Sequence, residues 1–322
     1  MKAIQLTQNG GPEVLRASDI PVPEAKPDQA VVKVAAAGVN FIDVYQREGR
    51  YKVLLPFVLG QEGAGTVSAI GAEVKSVKVG DRVAWASVLG GYAEYAAIPA
   101  ERLVPVPQGV TDQQAAATML QGMTAHYLLF STFPLKRGQT ALIHAAAGGV
   151  GLLLVQMAHN LGARIIATVS TEEKAELVRQ AGADEVILYS HQDFEVETKR
   201  LTHGHGVDVV YDSVGKITFE KGLNVLRHRG YMVLFGGSSG VVAPIDPMIL
   251  AAKGSLFLTR PVLGNYIATT EELRGRAEAL FEMIGDGMLK LRIAHTYKLS
   301  DAEQAHRDLE GRKTTGKLLL LP

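Results

Sequence analysis

The sequence predicts an α/β protein of two domains, a β-rich one followed by a doubly wound parallel sheet. Three observations carry this. At 322 residues the chain exceeds one ordinary single-core domain. From Met1 to about Pro107 it consists of short β-branched segments between Gly and Pro. From Gln139 onward, apolar strands alternate with amphipathic helices of about a dozen residues.

The first part reads VVKVAAAG, GAGTVSAIG, GDRVAWAS, GYAEYAAIP and LVPVP, the texture of a partly closed β domain. Thr111 and Gln114 have the spacing of a capping box before AAATMLQGMTAHYLLF, a long apolar helix expected to link the domains. The second part runs TALIHAAA, GVGLLLVQMAHNLG, RIIATVS, EEKAELVRQAG, EVILY, VDVVYDSV, FEKGLNVLRHRG and YMVLFGG. In it, LRHRG at Leu226 to Gly230 is expected to be a basic helix end, suited to the dipole there. A sixth strand is expected at Ser255 to Arg260. After Tyr266 come a helix ending near Gly287, the strand IAHTYKL, a helix capped by Ser300 with Glu303, and the strand GKLLLLP. They lack nucleotide-binding glycines and are expected to return to the first domain, giving 1–122 with 266–322 and 123–265.

Hydrophobic residues make up 47% of the chain against 20% charged, which excludes disorder as the default. Lys plus Arg equals Asp plus Glu at 33 each, so no global field draws nucleic acid or an anionic membrane. Cysteine is absent, which removes disulfides, thiolate metal sites and a cysteine nucleophile. MKAIQLTQNGG has no apolar leader core, and no charge-free run approaches the roughly 20 residues of a membrane span, so a cytoplasmic location is expected. The close pair in HGHG, His203 to Gly206, lacks further nearby ligands and predicts no metal. His144, inside an apolar strand, is expected to be a hydrogen-bonded core residue.

The chemistry concentrates at His144 to Gly151, HAAAGGVG, between an apolar strand and an apolar helix. Ala146, Gly148 and Gly151 fit the spacing of the dinucleotide fingerprint, and Gly149 and Val150 complete the turn. Gly148 lets the backbone approach a pyrophosphate, Gly151 lets the helix pack on the strand, and the helix amino terminus offers N–H groups to the anion. The next strand ends at Ser170, nineteen positions past Gly151, where an NAD site places an acid on the ribose. With no acid there, Ser170 and Lys174 suit a 2′-phosphate, and Tyr189 is placed to line the adenine edge, which predicts NADP(H). The plain alternative makes Ser170 and Glu173 a capping box. Small residues at the next two strand ends, DSVG and FGGSS, leave room for ribose and nicotinamide, with Ser213, Phe235, Gly236 and Ser238 as cofactor candidates.

These motifs resemble the medium-chain dehydrogenase/reductase superfamily, and within it the zinc-independent quinone oxidoreductases of the zeta-crystallin type. GGPEVL, GVNFIDVYQREG, GDRVAW, GYAEYAAIP, GQTALIHAAAGGVGLLLVQMA, DSVG, FGGSSG and GKLLLLP carry the likeness along essentially the whole chain. The resemblance implies a GroES-like β-rich catalytic domain, a Rossmann cofactor domain, a substrate cleft between them, and a homodimer joined through the sixth strands. Related zinc alcohol dehydrogenases place Cys and His where this chain has Asn40 and Gln61, neither a good zinc ligand, so no metal is expected.

Without a Lewis acid, an electron-poor acceptor such as a quinone is the expected substrate, reduced by hydride or electrons from NADPH. Carried over from zinc-free relatives, Asn40 and Tyr45 position cofactor and substrate oxygen, Tyr51 walls the quinone, and Asp43 either lies near the nicotinamide or holds the helix after GVN. Arg260 and Lys317 are further candidates for cofactor contact. Reduction of an activated carbon–carbon double bond, in a 2-alkenal or enoyl thioester, is the nearest alternative activity. A low-turnover NADPH-binding structural or RNA-associated protein is an alternative of another class.

Overall fold

The computed structural model describes residues 1–322. The chain forms two compact units, Met1–Met123 with Tyr266–Pro322, and Thr124–Asn265. The first begins with β1 (Lys2–Leu6), β2 (Ala17–Asp19), β3 (Gln29–Val39), α1 (Phe41–Arg47), β4 (Phe57–Val58), β5 (Glu62–Ile70), β6 (Arg82–Ala86), β7 (Tyr95–Pro99), β8 (Val104–Pro105) and α2 (Asp112–Tyr127). The second holds β9 (Thr140–Ile143), α3 (Gly149–Asn160), β10 (Arg164–Val169), α4 (Glu172–Gln180), β11 (Glu185–Leu188), α5 (Phe194–Leu201), β12 (Val207–Asp212), α6 (Phe219–Asn224), β13 (Leu226–Leu234), α7 (Met248–Ala252), β14 (Phe257–Thr259) and α8 (Leu263–Tyr266). The chain then returns to the first unit with α9 (Thr270–Gly285), β15 (Ile293–Lys298), α10 (Ala302–Glu310) and β16 (Lys317–Leu321).

In the first unit a seven-stranded sheet runs β15-β16-β3-β5-β6-β8, with β7 also on β3, beside a small sheet β2-β1-β4. β3 is buried at most positions because β5, β7 and β16 all pair with it, which explains its near-continuous run of Val and Ala. Ile4, Leu6, Val32, Trp85, Ile98 and Leu320 lie in one core cluster. The second unit is a six-stranded parallel sheet in the order β11-β10-β9-β12-β13-β14. Numbered within the unit this is 3-2-1-4-5-6, the doubly wound arrangement whose switch point falls between β9 and β12. Leu142, Ile166, Val210, Phe219 and Met232 form its core. No helix is long and apolar enough to cross a membrane.

The capping box at the start of α2 is present: Thr111 N–H donates to Gln114 Oε1 at 2.9 Å and Gln114 N–H to Thr111 Oγ1 at 3.1 Å. Three local expectations are corrected. LRHRG is not a helix end but the first part of β13, where Leu226 pairs with Val207 and Arg227 Nε donates to Asp208 Oδ1 across the strands at 2.7 Å. Sheet pairing with an ion pair outweighs the weak helix-dipole preference there. Ser300 does not cap α10; it lies in a 3-10 turn, Leu299–Asp301, and Glu303 instead accepts from Arg307 one turn on at 2.6 Å. The cap of α4 is Thr171, whose Oγ1 accepts from Lys174 N–H at 3.3 Å, so Ser170 is left outside the helix.

Candidate functional site

In the second unit the chain leaves β9 and turns through Ala145, at φ +50°, into Gly148, the extended N-cap of α3. Ala146 N–H is tied to Thr168 O on β10 at 3.2 Å. A Cβ on Gly151 would lie closer than 3.0 Å to Ala145 O and Ala146 Cα, so only glycine lets α3 sit this close to the strand exit. A Cβ on Gly148 would meet only Ala145 O, at 3.2 Å. Packing within the unit therefore leaves that side of the turn open, as an approaching phosphate requires. The first N–H groups of the twelve-residue α3, at Gly149, Val150 and Gly151, have no partner within the helix, an arrangement that suits an anion.

Beside this turn, Ser170 follows β10, and Lys174 Nζ stands 3.4 Å from Ser170 Oγ. Ser190 Oγ donates to Ser170 O at 2.8 Å, and Tyr189, about two-fifths exposed, is fixed by its N–H to Val169 O at 3.1 Å. Glu172, at the start of α4, is drawn to Arg179 at 2.6 Å. Ser170 and Lys174 thus bring a hydroxyl and an ammonium together beside Tyr189, a pair of donors that suits a phosphate.

At the next strand ends, buried Asp212 accepts from Val214 N–H at 2.7 Å, Gly215 N–H at 3.0 Å and Thr218 Oγ1 at 2.8 Å. Phe235 N–H donates to Asp212 O at 2.9 Å and Ser238 N–H to Ser213 O at 3.2 Å. Ser213, Phe235, Gly236 and Ser238 are therefore brought together in two crossing loops. Arg260 stands one residue beyond β14, the edge strand.

The first unit builds a different kind of site. Leu318 pairs with Val39 on one side of β3 and Gly63 with Ala37 on the other. That register brings Lys317 and Glu62 to Asn40, just past the end of β3. Lys317 Nζ donates to Asn40 Oδ1 at 2.9 Å and to Glu62 Oε1. Asn40 Nδ2 donates to Glu62 Oε1 at 2.6 Å, Gln121 Nε2 to Asn40 Oδ1 at 3.2 Å, and Leu120 N–H to Glu62 Oε2 at 2.6 Å. Asn40, Glu62, Gln121 and Lys317 are all buried, so the Asn40 carboxamide is engaged on both sides by protein.

Asp43 Oδ2 accepts the Asn40 backbone N–H at 2.8 Å, holding the start of α1, and the Tyr92 hydroxyl at 3.0 Å. Burial pushes the Asp43 carboxyl up to about 7 even though Asn40 and Tyr92 donate to it. Tyr45 is buried and meets Tyr51 edge-on at 5.4 Å, while the Arg50 guanidinium lies over its ring at 5.4 Å; Tyr51 is two-fifths exposed. Asn40, Asp43 and Lys317 are thus one cluster, and Tyr45 with Tyr51 an aromatic pair beside it on and after α1. In the second unit, His144 is buried, its Nδ1 2.9 Å from Thr168 Oγ1 and its ring edge-on to Phe194 at 4.7 Å.

Sequence reasoning missed Glu62, Tyr92, Gln121, Arg47 and His306. Glu62 left the clearest signal, as one acid in the otherwise small and apolar strand EGAGTVSAI. The others look like ordinary helix and loop residues until the fold joins them. No group of three or more His, Cys, Asp or Glu comes together to hold a metal ion. Glu62, the acid on the Asn40 carboxamide, already has an ammonium on it, so this donor set does not fit zinc.

The sequence matches two family descriptions, Alcohol dehydrogenase GroES-like domain over residues 26–108 and Zinc-binding dehydrogenase over residues 149–283. It is 48% identical to a quinone oxidoreductase of Pseudomonas aeruginosa, over 100% of this chain and 99% of that one. It is 42% identical to a 2-haloacrylate reductase of a Burkholderia species, over 99% of this chain and 98% of that one. The structure of Escherichia coli quinone oxidoreductase complexed with NADPH superposes with a TM-score of 0.98 at 44% identity, covering 100% of both chains.

Proposed function

The chain belongs to the quinone oxidoreductase family, a zinc-independent branch of the medium-chain dehydrogenase/reductases, and from that premise we propose that it is an NADPH:quinone oxidoreductase. The observation that carries the reading is the pairing of full-length likeness to quinone oxidoreductases with a glycine turn whose following strand is succeeded by Ser170 rather than an acid. The residues present fit the dinucleotide: the α3 N–H groups and the open side of Gly148 take the pyrophosphate, and Ser170 and Lys174 take the 2′-phosphate. When bound, the reduced nicotinamide supplies hydride to the quinone, and one proton from solvent completes the hydroquinone.

The chain's own contribution is placement. Ser213, Phe235, Gly236 and Ser238 border the ribose and nicotinamide, and Arg260 is a further cofactor contact. Tyr45 and Tyr51 offer an aromatic wall and hydroxyls to the acceptor ring and its oxygen. Asn40, held by Lys317 and Glu62, fixes the backbone from which that wall is built. No step passes through a metal, because the donor set does not fit one. A homodimer is part of the proposal: Phe257, on the edge strand β14, is half exposed and stacks on Tyr231 at 4.5 Å, a sheet edge that a second copy would cover.

The test is the loss of reduced-nicotinamide absorbance with an ortho-quinone, run with NADPH and NADH and with a chelator. Rapid, chelator-resistant oxidation favouring NADPH is expected; no turnover with NADPH still bound rejects the quinone substrate. The likeness to a 2-haloacrylate reductase favours one second reading, reduction of an activated carbon–carbon double bond. That reaction must protonate carbon, so Tyr45→Phe and Tyr51→Phe would abolish it while quinone reduction survives.

A further inference from the structure

A line of buried side chains in the first unit runs beneath Asn40 and is not needed to bind cofactor or quinone. Its direction follows from donor chemistry alone. The Arg47 guanidinium, fully buried, only donates: Nη1 to Glu310 Oε1 at 2.6 Å, Nη2 to Glu310 Oε2 at 3.2 Å and Nε to Gly10 O at 3.1 Å. Arg47 Nη1 also lies 3.1 Å from His306 Nδ1, so that nitrogen must be the acceptor. The neutral ring then carries its proton on Nε2, 3.1 Å from the Tyr92 oxygen, and donates to it. Tyr92 in turn donates to Asp43 Oδ2, which also takes the Asn40 backbone N–H. Every bond points the same way, from a permanent cation on α1 to a carboxylate on the same helix, by way of α10 and the segment before β7.

We propose that Tyr92 and His306 are positioning residues that hold Asp43 as a carboxylate, and through it Asn40 and the start of α1, so that the geometry of the proposed quinone site titrates with Asp43. The inference rests on the proposed site lying along α1. Asp43 is faced by Tyr92, behind which stand His306 and Arg47, and it feels Glu62 on β5, whose charge opposes ionisation, and Lys317 on β16, whose charge favours it. His306 stays neutral: burial first, and Arg47 second, hold its pKa down at about 3. Protonation of Asp43 weakens its hold on Asn40 N–H and lets the first turn of α1 loosen, so turnover falls on the acid side.

The experiment is the pH profile of kcat and KM for the full-length enzyme with NADPH and a quinone, alongside 15N spectra of its histidines. An inflection of kcat near pH 7 is expected, with KM for NADPH changing less than about twofold. Asp43→Asn, which keeps an acceptor for Asn40, should remove the inflection. Tyr92→Phe and His306→Leu should move it to higher pH by about one unit, and His306→Gln, which restores a donor to Tyr92, should bring it back. His306 should show Nε2 protonated and no titration between about pH 5 and 8. An Asp43→Asn profile that keeps the inflection, an unmoved Tyr92→Phe profile, or a proton on His306 Nδ1 overturns the proposal. If the wild type does not turn over a quinone, the function reading fails by itself. The histidine spectra and the pH dependence of Tm in Asp43→Asn then decide the relay.

Discussion

The two units handle polarity in opposite ways. The second presents a proposed anion site made almost wholly of backbone, from residues within six positions of one another, with apolar side chains behind it. The first buries Asn40, Asp43, Arg47, Glu62, His306 and Lys317, which lie far apart in the sequence, and bonds them through side chains, with Tyr92, Gln121 and Glu310 as go-betweens. A backbone site is rigid and nearly indifferent to pH, because amides do not titrate. A buried side-chain network is sensitive to each member, since removing one strands its partner in a medium where an unpaired charge is costly.

The sharpest test of that contrast is Lys317→Met, which leaves Glu62 buried with no cation. A loss of about 3–5 kcal/mol in denaturant unfolding is expected, and Lys317→Met with Glu62→Gln should recover much of it. If the single substitution is neutral, the network is not holding the first unit together. In the second unit, Gly151→Ala should act on binding more than on stability. The added Cβ meets Ala145 O and Ala146 Cα, α3 must shift, and NADPH affinity should fall by more than about tenfold in a fluorescence titration.

The pH dependence of stability separates the two kinds of site more finely. Asp43, raised from 3.8 to about 7, contributes stability that is present below about 4 and lost as pH rises through about 7. His306, lowered from 6.5 to about 3, does the reverse: its contribution is present above about 6.5 and lost as pH falls through about 3. Between about pH 4 and 6.5 the two slopes oppose each other, each about 1.4 kcal/mol per pH unit. Asp43→Asn should therefore make stability rise more steeply with pH across that window than it does in the wild type, as read from chemical denaturation at each pH. The smallest effect is expected at the ribose: Lys174→Ala should weaken NADPH about tenfold and leave NADH unchanged, since one charge-assisted contact is worth about 1.5 kcal/mol. An equal loss for both cofactors would place the 2′-phosphate elsewhere.

Legibility in the sequence follows the same division. The strand–turn–helix around Gly148 and Gly151 was readable because its parts are contiguous and each residue type answers a local steric demand. Asn40, Asp43 and Lys317 were reached only through resemblance, and nothing local pointed to Tyr92 or His306. The helix read into LRHRG failed for a related reason: the pairing of Leu226 with Val207, a long-range contact, outweighed a short-range preference.

Local sequence was enough for the β-rich first part, the parallel sheet of the second and the strand–turn–helix around Gly148 and Gly151, because side-chain period and glycine placement act over a few residues. The tertiary structure alone decided that Lys317 and Glu62 meet at Asn40 and that Arg47, His306 and Tyr92 line up on Asp43. Those contacts depend on the register of β16 and β5 against β3 and on where α10 packs, which only the folded sheet fixes.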